Sequence, residues 1–210
     1  MISMERIFGV GHVGQKEYKI SIKHGDITRS TEDAIVNAAH ESLMGGGGVD
    51  GAIHRVAGNG LLMECRDIKE LKKDVRCRIG EAVLTKAHGL KSKYIIHTVA
   101  PKFVGSIVNG KYKCIYPDLE DNLKNCYRSI FKLADAIHIE SIALPSLGTG
   151  GHSIPVEIGA PIAINTVFEM MCEGVWTSKV KDIMFYCFSQ FDLDEYIKEL
   201  SKHPSNIHDG

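Results

Sequence analysis

The chain has 210 residues, 44% of them hydrophobic and 24% charged, with a formal net charge of −1. That length suits one domain with a sizeable core, and the composition excludes a disordered chain. The near-zero charge leaves no global basic field for nucleic acid or anionic membrane, so an anionic ligand has to be held by local groups.

Met1 to Val13 contains no long apolar segment, and no run approaches the roughly 18 consecutive apolar residues of a membrane span. With Ile2 in place of a glycine the myristoylation signal is absent, and the expected location is the cytoplasm, with the nucleus compatible. Tyr18–Lys23 alternates, with Tyr18, Ile20 and Ile22 on one face, as an edge or half-exposed strand does. Ala34–Ala38 carries the apolar pair Ile35-Val36, the pattern of a strand covered on both faces. Val49–Ala57 and Leu61–Leu71 read as two short helices parted by Gly58-Asn59-Gly60. Glu81–Ala87 and Tyr94–Val99 are two further strands. Asn109-Gly110, between Ile107-Val108 and Tyr112, predicts a tight hairpin turn. Asp118 is placed to cap a helix whose apolar positions Leu119, Leu123, Cys126, Ile130, Leu133 and Ile137 recur at three and four residues. Ser141–Pro145 is the fifth strand and Asp182–Phe188 the sixth. Between them Pro155 can open a helix reaching Cys172, but Gly159-Ala160-Pro161 interrupts it. An interior proline costs about 3 kcal/mol, so a kink, or a helix starting at Pro161, is expected.

Strands alternating with helices imply a largely parallel sheet with helices on both faces. No repeat or linker-like shift divides residues 1–210, which read as a single domain. Cys65, Cys77, Cys114, Cys126, Cys172 and Cys187 are scattered without a C-x-x-C pair, so reduced thiols are expected rather than zinc or disulfides.

The chemistry lies at strand ends. Gly45-Gly46-Gly47-Gly48 follows the Ala34–Ala38 strand and precedes a helix opening near Val49-Asp50. Without Cβ atoms, these backbone N–H groups can crowd around an anion at the positive end of that helix. Gly148-Thr149-Gly150-Gly151 follows the Ser141–Pro145 strand in the same way. Two such loops at the C-terminal ends of sheet strands can clasp a pyrophosphate with backbone dipoles instead of Lys and Arg. The alternative is a pair of flexible turns. Neither loop has the G-x-x-x-x-G-K-[ST] or G-x-G-x-x-G spacing, so kinase-like and dehydrogenase-like chemistry is not indicated.

Gly25-Asp26-Ile27-Thr28, Ala34-Ile35-Val36-Asn37-Ala38-Ala39 and Gly45-Gly46-Gly47-Gly48-Val49-Asp50-Gly51-Ala52-Ile53-His54 together resemble the macrodomain signature, most closely its MacroD-type branch. His97-Thr98-Val99-Ala100-Pro101 and Leu144-Pro145-Ser146-Leu147-Gly148-Thr149-Gly150 resemble the later strand ends of that family. The resemblance runs from about Tyr18 to Leu200. It implies a three-layer α/β/α sandwich around a mixed, mostly parallel six-stranded sheet, with ADP-ribose as ligand.

By that resemblance, Asp26 accepts a hydrogen bond from the adenine amine, with Ile27 N–H close by, and a carboxylate suits this because it accepts and cannot donate. Phe188 is the candidate for stacking on the adenine. Asn37, Gly45, Gly46, Gly47, Gly48, Val49, Ser146, Gly148, Thr149, Gly150, Gly151 and His152 line the remaining ligand site. The bland readings are a turn residue for Asp26 and a core residue for Phe188. The resemblance makes Asp50 the group that activates water near the distal ribose, and like-charge repulsion from a pyrophosphate makes a carboxylate a better base. Alternatively, Asp50 only caps or charges its helix N-terminus.

Two departures fall on the catalytic side. The family's Asn-Ala-Ala-Asn is Asn37-Ala38-Ala39-His40 here, so His40 takes the place of the Asn that orients ribose or water. His152 replaces the aromatic that often covers the distal ribose. An imidazole differs from an amide in reach, bulk and tautomer. His54, one helical turn after Asp50, reads as a buried structural histidine or as its partner, and His97 reads as a satisfied core histidine.

The expected function is a hydrolase that removes mono-ADP-ribose from acidic side chains or deacetylates O-acetyl-ADP-ribose, with Asp50 and His40 catalytic. No cofactor and no metal are expected. The alternative is a non-catalytic reader of free or protein-linked ADP-ribose, which His40 and His152 favour. Partners are ADP-ribose and mono-ADP-ribosylated proteins; the near-neutral charge argues against RNA or poly-ADP-ribose.

Overall fold

Short apolar strands and amphipathic helices bury their faces together only in layers, and the chain builds three. In the computed structural model, residues 5–13, 16–108, 111–172 and 179–203 are described. The elements are β1 (Glu5–Val13), β2 (Lys16–His24), β3 (Ala34–Ala38), α1 (Gly48–Ala57), α2 (Asn59–Asp67), β4 (Ala82–Lys86) and β5 (Tyr94–Thr98). They continue as β6 (Gly105–Val108), β7 (Lys111–Cys114), α3 (Leu119–Ala136), β8 (Ser141–Pro145), α4 (Val156–Cys172), β9 (Asp182–Cys187) and α5 (Gln190–Leu200). Among the described residues no helix is long and apolar enough to cross a membrane.

The sheet order is β1-β2-β9-β8-β3-β5-β4. From β2 to β5 all neighbours are parallel, while β1 and β4 pair antiparallel at the two edges. The six expected strands are therefore present, and β1 is added outside them. Tyr18–Lys23 is not an edge strand, because β1 covers it along its length. The β1 sequence reads weakly as a strand because Gly9 and Gly11 interrupt its apolar residues.

Side chains alternate between the two faces of each strand. Ala34 and Val36 of β3 join the core built with α3, α4 and α5. Ile35 joins the second core, under α1 and α2. Residue 37 falls on the same face as Ile35, and that parity decides where the polar site forms.

Three helix boundaries differ from expectation. α2 begins at Asn59, directly after Gly58, and ends at Asp67 rather than Leu71. Leu71 is exposed, so no core contact rewards another turn. α4 runs through Pro161 instead of starting there. Ala160, Ala163, Ile164 and Val167 are fully buried along it, and that burial outweighs the lost backbone bond. Asp118 stands at the N-cap position of α3, but its carboxylate accepts from the Asn122 side chain at 3.0 Å rather than from a backbone N–H. The strands β6 and β7 form a separate hairpin. Its expected turn residues Asn109 and Gly110 lie outside the described residues, as does His208 in the tail.

Asp33 ties together the entries of three parallel strands. Its Oδ2 accepts from Glu140 N at 2.9 Å and Ser141 N at 3.2 Å, and Lys93 Nζ stands 2.7 Å from Oδ1. Partial burial pushes its carboxyl upward, but the Lys93 hydrogen bond and charge and the two backbone N–H groups outweigh it, so the net shift is downward. A carboxylate with a depressed folded pKa stabilises the fold at higher pH and loses that contribution as pH falls through the folded value. Asp33→Asn is expected to lower stability at pH 7 by about 1–3 kcal/mol, measured by urea unfolding, and by progressively less at acid pH. A pH-independent difference between the two proteins would remove the ionic explanation.

Candidate active site

The loops that follow β2, β9, β8, β3 and β5 all leave from one edge of the sheet, because these strands are parallel. Ligands of such sheets lie in the crevice outside the carboxyl ends of the strands. The sheet order places Asp26, after β2, and Phe188, after β9, at one end of this crevice. The ends of β3 and β5 form the other end.

The first glycine loop is shaped by close approaches. Gly45 has φ 82°, and a Cβ there would stand 3.3 Å from the His54 ring. A Cβ on Gly46 would stand 3.2 Å from Asp50 Oδ2. Gly47 is the N-cap of α1 with no side-chain cap, and a Cβ on it would meet nothing within 4 Å. The uncapped N–H groups at the start of α1 are therefore free to receive an anion. Gly51 is a requirement that the sequence reading missed: a Cβ there would come within 2.4 Å of the Gly46 carbonyl.

The second loop has the same character. At Gly148 the space for a Cβ is taken by Ile154, 2.5 Å away, while Gly150 and Gly151 face open space. Ile154 N donates to Gly148 O at 3.0 Å and Thr149 Oγ1 donates to Ser146 O at 3.0 Å, which holds the loop in form. Val49 packs against the core under α1, where Ile27 is buried.

Beneath the first loop runs a chain of buried polar groups. Asn37 and His97 are direct partners in the β3–β5 register. Asn37 Nδ2 donates to Asp50 Oδ1 at 2.7 Å and stands 3.0 Å from His97 Nδ1. An amide nitrogen only donates, so His97 Nδ1 accepts, and the proton on Nε2 goes to Thr85 Oγ1 at 2.9 Å. Burial, with His54 nearby, holds the His97 imidazole down to about 3, so it is neutral. His97 is thus the satisfied core histidine expected, and it also orients Asn37. Sequence spacing does not show this, because the two residues meet only through strand pairing.

Asp50 is 4% exposed and caps nothing, because its carboxylate turns inward to Asn37. Asp50 Oδ2 and Asn37 Oδ1 are buried acceptors without a hydrogen-bond partner among the described residues. His54 Nε2 is likewise unpartnered, 3.4 Å from Asp50 Oδ1. An unmet buried polar atom costs about 1–3 kcal/mol, and three of them gather in this one cluster.

His54, Cys65 and His97 bring their ligand atoms within 4.8 Å of one another, a trio of metal-ligating types that sequence spacing does not reveal. Both His97 nitrogens are already hydrogen-bonded, so a metal there would have to displace Asn37 or Thr85. Burial, aided by the nearby Glu64 and Asp50 charges, pushes the Cys65 thiol up to about 12. Cys65, Cys77, Cys114, Cys126 and Cys187 are free, as expected; the Cys172 side chain lies outside the description.

His40 and His152 hold opposite tautomers. Ser42 N–H donates to His40 Nδ1 at 3.2 Å, so the neutral ring of this exposed residue carries its proton on Nε2. His152 Nδ1 stands 2.7 Å from the Ala100 carbonyl, which only accepts, so its neutral ring keeps a lone pair on Nε2. In the neutral form one replacement offers a donor and the other an acceptor.

At the other end of the crevice, Asp26 Oδ1 accepts from Thr28 N at 2.9 Å and Thr28 Oγ1 at 2.7 Å, capping the short turn Ile27–Arg29. The turn-residue reading of Asp26 therefore holds for one oxygen, and Oδ2 has no partner among the described residues. Phe188 is 84% exposed, which rules out the core reading and leaves its ring face available.

The fold is a three-layer sandwich with two glycine loops at parallel strand ends and a buried carboxylate beneath one of them. The chain belongs to the macro domain family, whose model matches residues 36–163. It is 46% identical to the macro domain-containing protein CT2219 of Chlorobaculum tepidum over 84% of this chain and 92% of that one. It is 42% identical to the human ADP-ribose glycohydrolase MACROD2 over 88% of this chain, spanning 40% of that protein's length. It is 38% identical to O-acetyl-ADP-ribose deacetylase 1 of Pantoea vagans over 87% of this chain and 99% of that one. Among solved structures, the Oceanobacillus iheyensis macrodomain with ADP superposes with a TM-score of 0.78 at 35% identity, covering 94% of this chain and 96% of that one. The Trypanosoma brucei macrodomain in complex with ADP-ribose superposes at 0.70 and 36% identity, over 85% of this chain and 68% of that one.

Proposed function

We propose that the chain binds ADP-ribose and hydrolyses an ester at its distal ribose without a metal, in the cytoplasm. The substrates on this reading are mono-ADP-ribosylated acidic side chains, O-acetyl-ADP-ribose, or both. The observation that carries the proposal is the buried Asp50 carboxylate, held by Asn37 through Oδ1 and unpartnered at Oδ2, directly under an open glycine loop. The names of the glycohydrolase and deacetylase relatives support it. On this reading the loop N–H groups hold the pyrophosphate, and Asp26 and Phe188 receive the adenine. Asp50 takes a proton from the attacking water. The acyl–oxygen bond breaks and Asp50 returns that proton to the departing ribose oxygen, giving a free carboxylic acid and a free ribose hydroxyl.

A second reading, a non-catalytic reader, is favoured by one observation: exposed His40 presents a ring N–H where the family's Asn presents an amide. Following ADP-ribose affinity together with release from a glutamate-linked substrate separates the two. Affinity with release supports the hydrolase, affinity alone supports the reader, and no affinity removes both.

Gly47→Glu tests the loop itself. The added Cβ meets nothing, so the fold should persist. The carboxylate then stands where the phosphates bind, and ADP-ribose affinity is expected to fall at least about a hundredfold. Parent-like affinity in a folded Gly47→Glu protein would place the pyrophosphate elsewhere.

A further inference from the structure

The β6–β7 hairpin stands outside the main sheet and meets the core through Cys114. Val104, Ile107, Val108, Tyr112, Ile115 and Tyr116 are half of the twelve large apolar side chains exposed among the described residues. Exposed apolar surface concentrated in this way marks an interaction site. The segment 101–116 also carries Lys102, Lys111 and Lys113 with no carboxylate, in a chain of net charge −1. The register pairs Ser106 with Lys113 and Val108 with Lys111, so the two lysines and Val108 share one face of the ribbon, while Ile107 and Tyr112 lie on the other.

The hairpin is tied to the site. Phe103 N donates to His152 O at 2.8 Å, and Tyr112 hydroxyl donates to Glu157 Oε1 at 3.0 Å, in the first turn of α4. It leaves the sheet from β5, four strands from β2 and Asp26. It therefore stands at the end of the crevice away from the adenine, where anything attached to the distal ribose must emerge.

We propose that this hairpin is the docking surface for the polypeptide that carries the ADP-ribose, and that it takes segments rich in Asp and Glu around the modified side chain. The lysine face gives charge complementarity to such a segment, and exposed Val108 on that same face supplies apolar contact. The inference rests on the ADP-ribose reading above and adds a partner to it.

The test is a set of affinities in one buffer. The ligands are free ADP-ribose, and peptides bearing one ADP-ribose through an uncleavable linkage, flanked either by Glu or by Ser and Gln. The proteins are the parent, Lys111→Glu/Lys113→Glu and Val108→Ser. The Glu-flanked peptide is expected to bind the parent roughly tenfold more tightly than free ADP-ribose, with the gain shrinking as salt rises. Both variants should lose that gain while keeping parent affinity for free ADP-ribose. A parent that binds the peptides no better than ADP-ribose overturns the proposal, as does a gain that survives in both variants. A dimer that Val108→Ser dissolves would assign the surface to a second copy instead. Absence of binding to free ADP-ribose has its own arm, and it would take down the ligand reading and the docking surface together.

Discussion

Asp50→Asn is expected to lower the hydrolytic rate by about 10²–10⁴-fold while ADP-ribose affinity stays within a few-fold of the parent. The asparagine has the shape of the carboxylate and can still accept from Asn37 Nδ2 through its oxygen, so the 2.7 Å contact survives. What it loses is the capacity to take a proton from water at the position of Oδ2. Removing the negative charge also relieves repulsion from a bound pyrophosphate, so affinity has no reason to fall. Single-turnover release from a glutamate-linked substrate, set beside calorimetry with ADP-ribose, reads the two quantities separately. Equal losses in rate and affinity would make Asp50 a ligand-positioning residue, and an unchanged rate would move the base to another group.

The second large effect is acid lability centred on His97. The unfolded chain takes up a proton near the ordinary histidine value of 6.5, whereas the folded protein resists it down to about 3. Between these values the unfolded state binds more protons than the native state, so stability falls as pH falls. The contribution is complete above about pH 6.5, shrinks steadily below it, and is gone near pH 3. At about 1.4 kcal/mol per unit, the window amounts to a few kcal/mol, a large share of a domain's marginal stability. Protonation would also end the acceptance of Asn37 by Nδ1, so Asn37 and Asp50 should lose their alignment along with the fold. Urea unfolding from pH 7.5 to 4 should show this slope in the parent and a shallower one in His97→Gln, which has nothing to titrate there. Parallel slopes would falsify the assignment of the effect to His97.

Much of the candidate site is legible in the sequence. Four consecutive glycines between a strand and a helix carry a large entropic cost, and their placement signals a backbone-lined anion site. Asp50 was legible as the acid beside that loop. The chain-specific histidines at 40 and 152 stood out only against the family pattern, and their opposite tautomers depend on neighbours, Ser42 and the Ala100 carbonyl, that no periodicity indicates. The exposure of Phe188 was likewise undecided, because an aromatic ending an apolar strand reads equally as core or as surface.

By itself, then, the sequence determined six of the seven strands of the main sheet, the helices between them, the two glycine loops and a carboxylate beside the first of them, because each rests on local periodicity or on residue types with a single physical use. Only the tertiary structure decided that β1 flanks β2, that α4 passes through Pro161 and that α2 stops at Asp67, since each depends on which surfaces are covered by distant elements. The same holds for the chain Thr85, His97, Asn37 and Asp50. Its members lie on three strands and a helix, and they meet because β3 and β5 pair in a register that sets Asn37 against His97 on the face beneath α1. A one-residue shift of that register would turn each side chain to the opposite face, and no local signal in either strand forbids it. The burial of Ile35 and Ile95 in one core and of Val36 and Ile96 in the other holds the register, and with it the site.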